Sequence, residues 1–244
     1  MELHPSKADL VRRLLVDAQR LQPHGGTLEL TEDEARYLRR VLRLKGGDCL
    51  ELRDGRLGGY AATILPNGAL RYESRSELPL PSGPRVHLAF APMKGRRLEL
   101  LLEKATEIGA ASFQPLLTER TIRRDVADSS RWQRVIRSAA RQCAAAIEPE
   151  VHSPQPLTSF LQTAQEMDLT LVAHPSSETS LLDAIPRRAI DTVCVLTGPE
   201  GGFTDTEVNE IQDAGFLGVH LGSQILRAET APLVALTLLR YVVR

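Results

Sequence analysis

The sequence predicts an α/β protein in three parts. These are a small mixed β domain over residues 1–76, a proline-rich linker at 77–84, and a layered α/β domain with a mostly parallel sheet over 85–244. Three observations carry that prediction. Leu78-Pro79-Leu80-Pro81-Ser82-Gly83-Pro84 is turn-prone and cannot form a helix, so it marks a boundary. Before it, short apolar runs are separated by the turn dipeptides Asp54-Gly55 and Asn67-Gly68, a spacing that suits a small barrel. After it, strand and helix patterns alternate to the C-terminus, as in domains whose helices cover a parallel sheet. A chain of 244 residues is long enough for one or two domains and a sizeable core.

In the first part, Thr31 and Glu34 form a capping box that opens a helix over 32–42. Arg36, Arg39, Arg40 and Arg43 are spaced to share one face of it, and Lys45 follows, a stripe able to meet several phosphates at once. Such a stripe also reads as a solvated helix face. Lys45-Gly46-Gly47-Asp48 then turns into strands expected at 49–53, 60–65 and 69–73.

In the last part, a strand at 86–91 leads through the loop Pro92-Met93-Lys94-Gly95 into a helix. That helix gathers Leu98, Leu101, Leu102, Ala105 and Ile108 on one side and stops at Gly109. A strand at 112–117 and a helix at 132–146 anchored by Trp132, Val135 and Ile136 follow, then a helix near 157–165 and a strand at 169–173. Val193 to Leu196 is a buried-strand pattern ended by Gly198-Pro199. Thr204 and Glu207 cap a helix from Asp205 to near Gly215, and 217–221 is the next strand. The final helix tolerates Pro232 in its first turn and spaces Leu233, Leu236, Leu239 and Tyr241 as core residues.

Hydrophobic residues make up 42% and charged residues 25%, the proportions of a water-soluble globular chain. No apolar run is long enough to span a membrane, and MELHPSKADLVRRLL lacks a signal-peptide core, so a cytoplasmic location is expected. Cys49, Cys143 and Cys194 are too few and scattered for a disulfide frame, and the six histidines lack metal-ligand spacing, so no metal is expected. The net charge of −1 hides an asymmetry: residues 1–141 carry 25 Lys and Arg against 18 Asp and Glu, and residues 142–244 carry 5 against 13. Such a basic front suits a localised polyanion footprint, and it also reads as arginine-rich solvated helix faces.

Two loops close consecutive strands near the C-terminus. One is Leu196-Thr197-Gly198-Pro199-Glu200-Gly201-Gly202; the other runs from Leu221-Gly222 to Ile225-Leu226-Arg227-Ala228-Glu229-Thr230. Ligand sites in α/β sheets gather outside such carboxyl ends. Neither loop has the lysine of a phosphate loop, the glycine spacing of a dinucleotide fold, or a nucleophile elbow.

Gly198-Pro199-Glu200-Gly201-Gly202-Phe203 and Ile225-Leu226-Arg227-Ala228-Glu229-Thr230-Ala231 resemble the RsmE family of SPOUT-class RNA methyltransferases. Leu38 to Asp48, Lys94-Gly95-Arg96-Arg97 and Arg131-Trp132-Gln133-Arg134 are similar to the same family, so the resemblance covers most of the chain. It implies a SPOUT-like C-terminal domain with a deep trefoil knot, preceded by a PUA-like RNA-binding β-barrel, and a homodimer with active sites near the subunit interface. The implied activity is methylation of N3 of a uridine in the decoding region of small-subunit (16S) ribosomal RNA, with S-adenosylmethionine as cofactor. Thr197, Gly198, Pro199, Glu200, Gly201, Leu221, Gly222, Ile225, Leu226, Arg227 and Thr230, with Leu196, are then the expected cofactor contacts, and a third loop at Ala173-His174 would complete the pocket. Arg36, Arg39, Arg40, Arg43, Lys45, Lys94, Arg96 and Arg97 are the expected RNA contacts. One stretch departs from the family: Ser138-Ala139-Ala140-Arg141-Gln142-Cys143-Ala144-Ala145 stands where members commonly read Glu-Ala-Ala-Glu-Gln-x-Gly-Arg.

Methylating an imide nitrogen requires loss of its proton. Arg227 stays protonated and suits an electrostatic role toward a uracil oxygen, while Glu200 or Glu229 could take the proton. Two other readings remain open at this stage: a non-enzymatic RNA-binding or assembly protein of the same fold, and a SPOUT methyltransferase with another RNA target.

Overall fold

The computed structural model describes residues 12–121 and 129–242. It groups the chain into two compact units, Met1–Pro81 with Ala140–Glu148, and Ser82–Ala139 with Pro149–Arg244. The second crossing of the chain, at 140–148, has no signal in composition.

The first unit contains β1 (Arg13–Leu15), β2 (Gly26–Leu28), α1 (Glu32–Arg40), β3 (Cys49–Arg53), β4 (Gly58–Ile64), β5 (Leu70–Tyr72) and β6 (Ser76–Glu77). The strands form one sheet in the order β1-β3-β4-β5-β2, with β6 also paired to β4. Alternation decides the buried face: Leu50, Leu52, Ala62, Ile64, Leu70 and Tyr72 point into one core, where Tyr60 meets Tyr72 edge-on with ring centroids 5.7 Å apart. β1 (half-buried, then buried twice), β2 and the two-residue β6 do not show that alternation, and the sequence pattern passes over them. The α1 capping box forms as predicted, and Glu34, only 3% exposed, also binds Arg20 at 2.6 Å. The helix stops earlier than expected. Arg43 lies beyond it with φ of 55°, so it leaves the face shared by Arg36, Arg39 and Arg40.

The second unit contains β7 (Arg85–Phe90), α2 (Arg96–Ile108), β8 (Ser112–Leu117), most of α3 (Ser129–Cys143), β9 (Glu150–Val151), β10 (Gln155–Pro156), α4 (Leu157–Thr163) and β11 (Leu169–Ala173). It continues with α5 (Leu181–Ala184), β12 (Thr192–Thr197), α6 (Asp205–Asp213), β13 (Leu217–Val219) and α7 (Thr230–Val242). The sheet is parallel, in the order β10-β8-β7-β12-β11-β13, with β9 on β8. Odd and even positions part cleanly. Val193, Val195, Leu88 and Phe90 face a core closed by α2, α3, α5 and α7, while Cys194, Leu196 and Ala89 face one closed by α4 and α6. The result is three layers. Each fully buried leucine of α2, such as Leu101 or Leu102, contributes about 1.5–3 kcal/mol by leaving water.

Two helices depart from their expected extent or face. α3 ends at Cys143 rather than 146, because Ala144 takes φ of 47° and Ala145 N–H turns back to Ala140 O at 2.9 Å. Tyr241 is not a core residue. It is 70% exposed, since Leu236 and Leu239 already face the sheet and a position two residues past Leu239 lies across the helix.

Candidate active site

Register places the carboxyl ends of three strands side by side, with Ala173 opposite both Thr197 and Val219. Above them lies a cavity of about 480 Å³, within the size range of small-molecule sites. Its first wall is the loop after β12. Here Gly198 leaves room for the Phe203 ring, since a Cβ would come 3.0 Å from it and the ring would have to shift by a few tenths of an ångström. Gly202, at φ of 70°, turns the chain so that its N–H reaches Pro199 O at 2.9 Å. The loop is then held from outside by Arg120, which donates to Gly201 O at 2.8 Å. The Thr204–Glu207 capping box fixes where α6 begins, and Glu207 also accepts Glu119 N–H at 2.7 Å.

The second wall is the segment after β13, lined by Leu221, Gly222, Ile225, Leu226 and Arg227. Its far end is fixed where Thr230 and Ala231 N–H both bond Arg227 O, at 2.9 and 3.0 Å, and start α7. The third wall is Ala173-His174-Pro175, joined to β13 by His174 N–H to Val219 O at 2.9 Å.

The polar groups are unevenly placed. Arg97, in the first turn of α2, lies 3.4 Å from Glu200 and 3.9 Å from Glu229, so one guanidinium joins two carboxylates at the cavity's edge. Glu229 is 7% exposed, and its Oε2 is buried without a partner, as is Oγ1 of Thr197. A buried polar atom left unpaired costs about 1–3 kcal/mol, so both atoms are open to a partner that the protein itself does not supply. Arg227 is exposed at the mouth and makes no ion pair with a described residue.

Thr197, Gly198, Pro199, Glu200, Leu221, Gly222, Ile225, Leu226, Arg227 and Glu229 all line this cavity. Leu196 does not: strand alternation sends it into the core with α4 and α6. Gly201 and Thr230 sit behind the lining, where Gly202 and Ala231 take their places. Of the residues expected on RNA, Lys94, Arg96 and Arg97 are all exposed, and Arg97 also lines the cavity's edge. Nothing local to Arg97 announces this; it follows from β7 pairing directly with β12, which brings the start of α2 to the glycine loop. Among the described residues no cluster of histidine, cysteine and carboxylate side chains could hold a metal ion.

Residues 80–240 match the family model of the RNA methyltransferase domain. The ribosomal RNA small subunit methyltransferase E of Synechocystis sp. is 38% identical over 220 residues, covering 86% of this chain and 71% of that protein. The chain belongs to the ribosomal RNA small subunit methyltransferase E family. A further member, from Neisseria gonorrhoeae, was solved bound to S-adenosyl methionine. It superposes with a TM-score of 0.78 at 28% identity, over 95% of this chain and 97% of that one. A Legionella pneumophila chain solved with bound SAM gives 0.79 at 31% identity, over 94% and 97%. The α/β fold of this family member is thus that of known methyltransferases.

Proposed function

We propose that this chain uses S-adenosylmethionine to methylate N3 of a uridine in the decoding region of small-subunit ribosomal RNA. The observation that carries the reading is the cavity at the ends of β11, β12 and β13, with Arg227 free at its mouth and Glu229 buried at its side. Thr197 Oγ1, buried and unpaired, fits a ligand rich in hydroxyl and amino groups. Thr197, Gly198, Leu221, Ile225 and Leu226 would hold that cofactor, which when bound supplies an electrophilic methyl group.

The chain's own residues then have three tasks. Arg227 holds a uracil oxygen and stabilises the negative charge that grows as the imide proton leaves. Glu229 accepts that proton at its unpaired oxygen. Arg97 keeps both Glu229 and Glu200 fixed while the substrate enters. Alignment of the nitrogen with the methyl carbon contributes much of the rate.

The C-terminal domain is proposed to be knotted, with α7 threaded through an earlier loop, and to work as a cytoplasmic homodimer. The N-terminal part, including Arg36, Arg39, Arg40, Arg43 and Lys45, is proposed to act as a PUA-like RNA-binding barrel. No described helix is long and apolar enough to cross a membrane.

Arg227→Ala tests the reading. Cofactor affinity by calorimetry should stay within a few-fold of wild type, while methyl transfer to small subunits from a strain lacking the enzyme falls about 10²–10³-fold. Equal losses in both would make Arg227 a structural residue of the cavity. Mass spectrometry of the product nucleosides identifies the methylated position, and a label anywhere but uridine N3 overturns the assignment.

A further inference from the structure

A second concavity, of about 610 Å³, lies wholly in the N-terminal unit between the end of α1 and the turn joining β4 to β5. Its floor is apolar, built from Leu38, Leu44 and Ile64, which are themselves core residues, with Ala35 of α1 at one side. Arg39, Arg43 and Lys45 stand on the rim against a single carboxylate, Glu29. Asn67 faces them from the turn, with its side-chain oxygen engaged by Ala69 N–H at 3.1 Å and its amide NH₂ left as a donor.

Both walls are fixed by backbone bonds rather than by chance packing. Leu44 N–H reaches Leu38 O at 2.9 Å, Gly47 N–H reaches Ile64 O at 2.8 Å, and Gly68 N–H reaches Leu65 O at 2.9 Å. Asp48 caps the loop by accepting Lys45 N–H at 2.8 Å. Within this frame Arg43 is held at φ of 55°, a conformation that costs an L-residue about 1–2 kcal/mol and takes its guanidinium off the helix stripe. Three cations around an apolar slot match a nucleotide, with phosphates on the rim and a base on the floor. A-form duplex keeps its bases stacked inside and offers only backbone, so it cannot fill the slot.

We propose that this cleft binds one unstacked nucleotide of single-stranded RNA, base inward, adjacent in sequence to the methylated segment or folded near it. The proposal rests on the RNA-binding part of the proposed function. It differs from a phosphate stripe on α1, because the decisive contact is to a base.

The test uses the full chain and a short fluorescent oligouridylate, alone or annealed to its complement, with anisotropy read at several salt concentrations. Ala35→Phe fills the slot and leaves every cation in place. It should weaken single-strand binding about tenfold or more and leave duplex binding unchanged. Arg43→Ala with Lys45→Ala should weaken both and reduce the salt slope by about two phosphate contacts. Thermal melting and S-adenosylmethionine calorimetry should match wild type in all variants. A folded Ala35→Phe protein with wild-type single-strand affinity overturns the proposal. If that variant does not fold, photocrosslinking of wild type to 4-thiouridine RNA decides: adducts on residues 38–46 or 64–68 are expected, and adducts elsewhere overturn it. A wild-type protein that crosslinks in this cleft but methylates no ribosomal RNA sinks the catalytic reading and leaves this one standing.

Discussion

Ala144 holds a left-handed backbone at φ of 47°, a region that favours glycine. A side chain there costs about 1–2 kcal/mol against the following carbonyl. Glycine would remove that cost but lose about 0.5–1 kcal/mol through the freer unfolded chain. Ala144→Gly should therefore raise stability by about 0.5–1 kcal/mol, read as a higher denaturant midpoint at unchanged slope. A lower midpoint would mean that Ala144 carries packing the backbone argument ignores. At this scale the sequence was readable wherever chemistry was concentrated in one segment. Gly198, Glu200, Arg227 and Glu229 were all visible in two loops and all reach the cavity. The place of Arg97 beside the cavity is not legible in its own segment because it depends on which strands are neighbours, and the inward direction of Leu196 depends on the parity of its position in β12.

At the scale of elements, α1 shows how a cap and a pH response share one side chain. Glu34 receives Thr31 N–H at 2.8 Å and pairs with Arg20. Burial pushes its carboxyl up, but the bonds from Arg20 and Thr31 outweigh that and hold it below its ordinary value of 4.5. A carboxylate with a depressed folded-state pKa adds stability above its unfolded pKa and loses it as pH falls through the folded one. Glu34→Gln should thus cost about 1–3 kcal/mol at neutral pH, combining a weakened cap with a broken charged bond. Wild type and variant should converge as pH drops through the carboxylate range, because protonation removes the same anion. A gap that stays constant in acid-denaturation curves would assign the loss to shape alone. Capping boxes were the most legible signals in the chain, giving the starts of both α1 and α6 to the residue. The ends of α1 and α3 and the short strands β1, β2, β6, β9 and β10 are not legible, since hydrogen bonds such as Ala145 N–H to Ala140 O decide them after the chain has folded.

At the scale of the molecule, the N-terminal unit is not a continuous piece of chain. Residues 140–148 return to it, and their backbone completes the loop after β3: Leu57 N–H bonds Ala146 O at 3.0 Å, Glu148 N–H bonds Gly55 O at 2.9 Å, and Arg53 reaches Ala144 O at 2.6 Å. No linker composition marks this return, because it depends on where a helix of the other unit ends. The proline-rich stretch before β7 marks only the first crossing. A fragment ending at Pro81 would leave those loop groups to water and lose the Arg53 bond. Such bonds contribute about 0.5–1.5 kcal/mol each, a large share of what a unit this small can spare. The fragment 1–81 should therefore melt well below the full chain's N-terminal unit, with early loss of amide protection at Leu57, whose N–H donates to Ala146 O, in hydrogen exchange. Adding residues 140–148 back through a flexible tether should raise both readouts. If the bare fragment is as stable and as protected as the intact chain, the return segment is an ornament, and the boundary drawn from the prolines alone is the physical one.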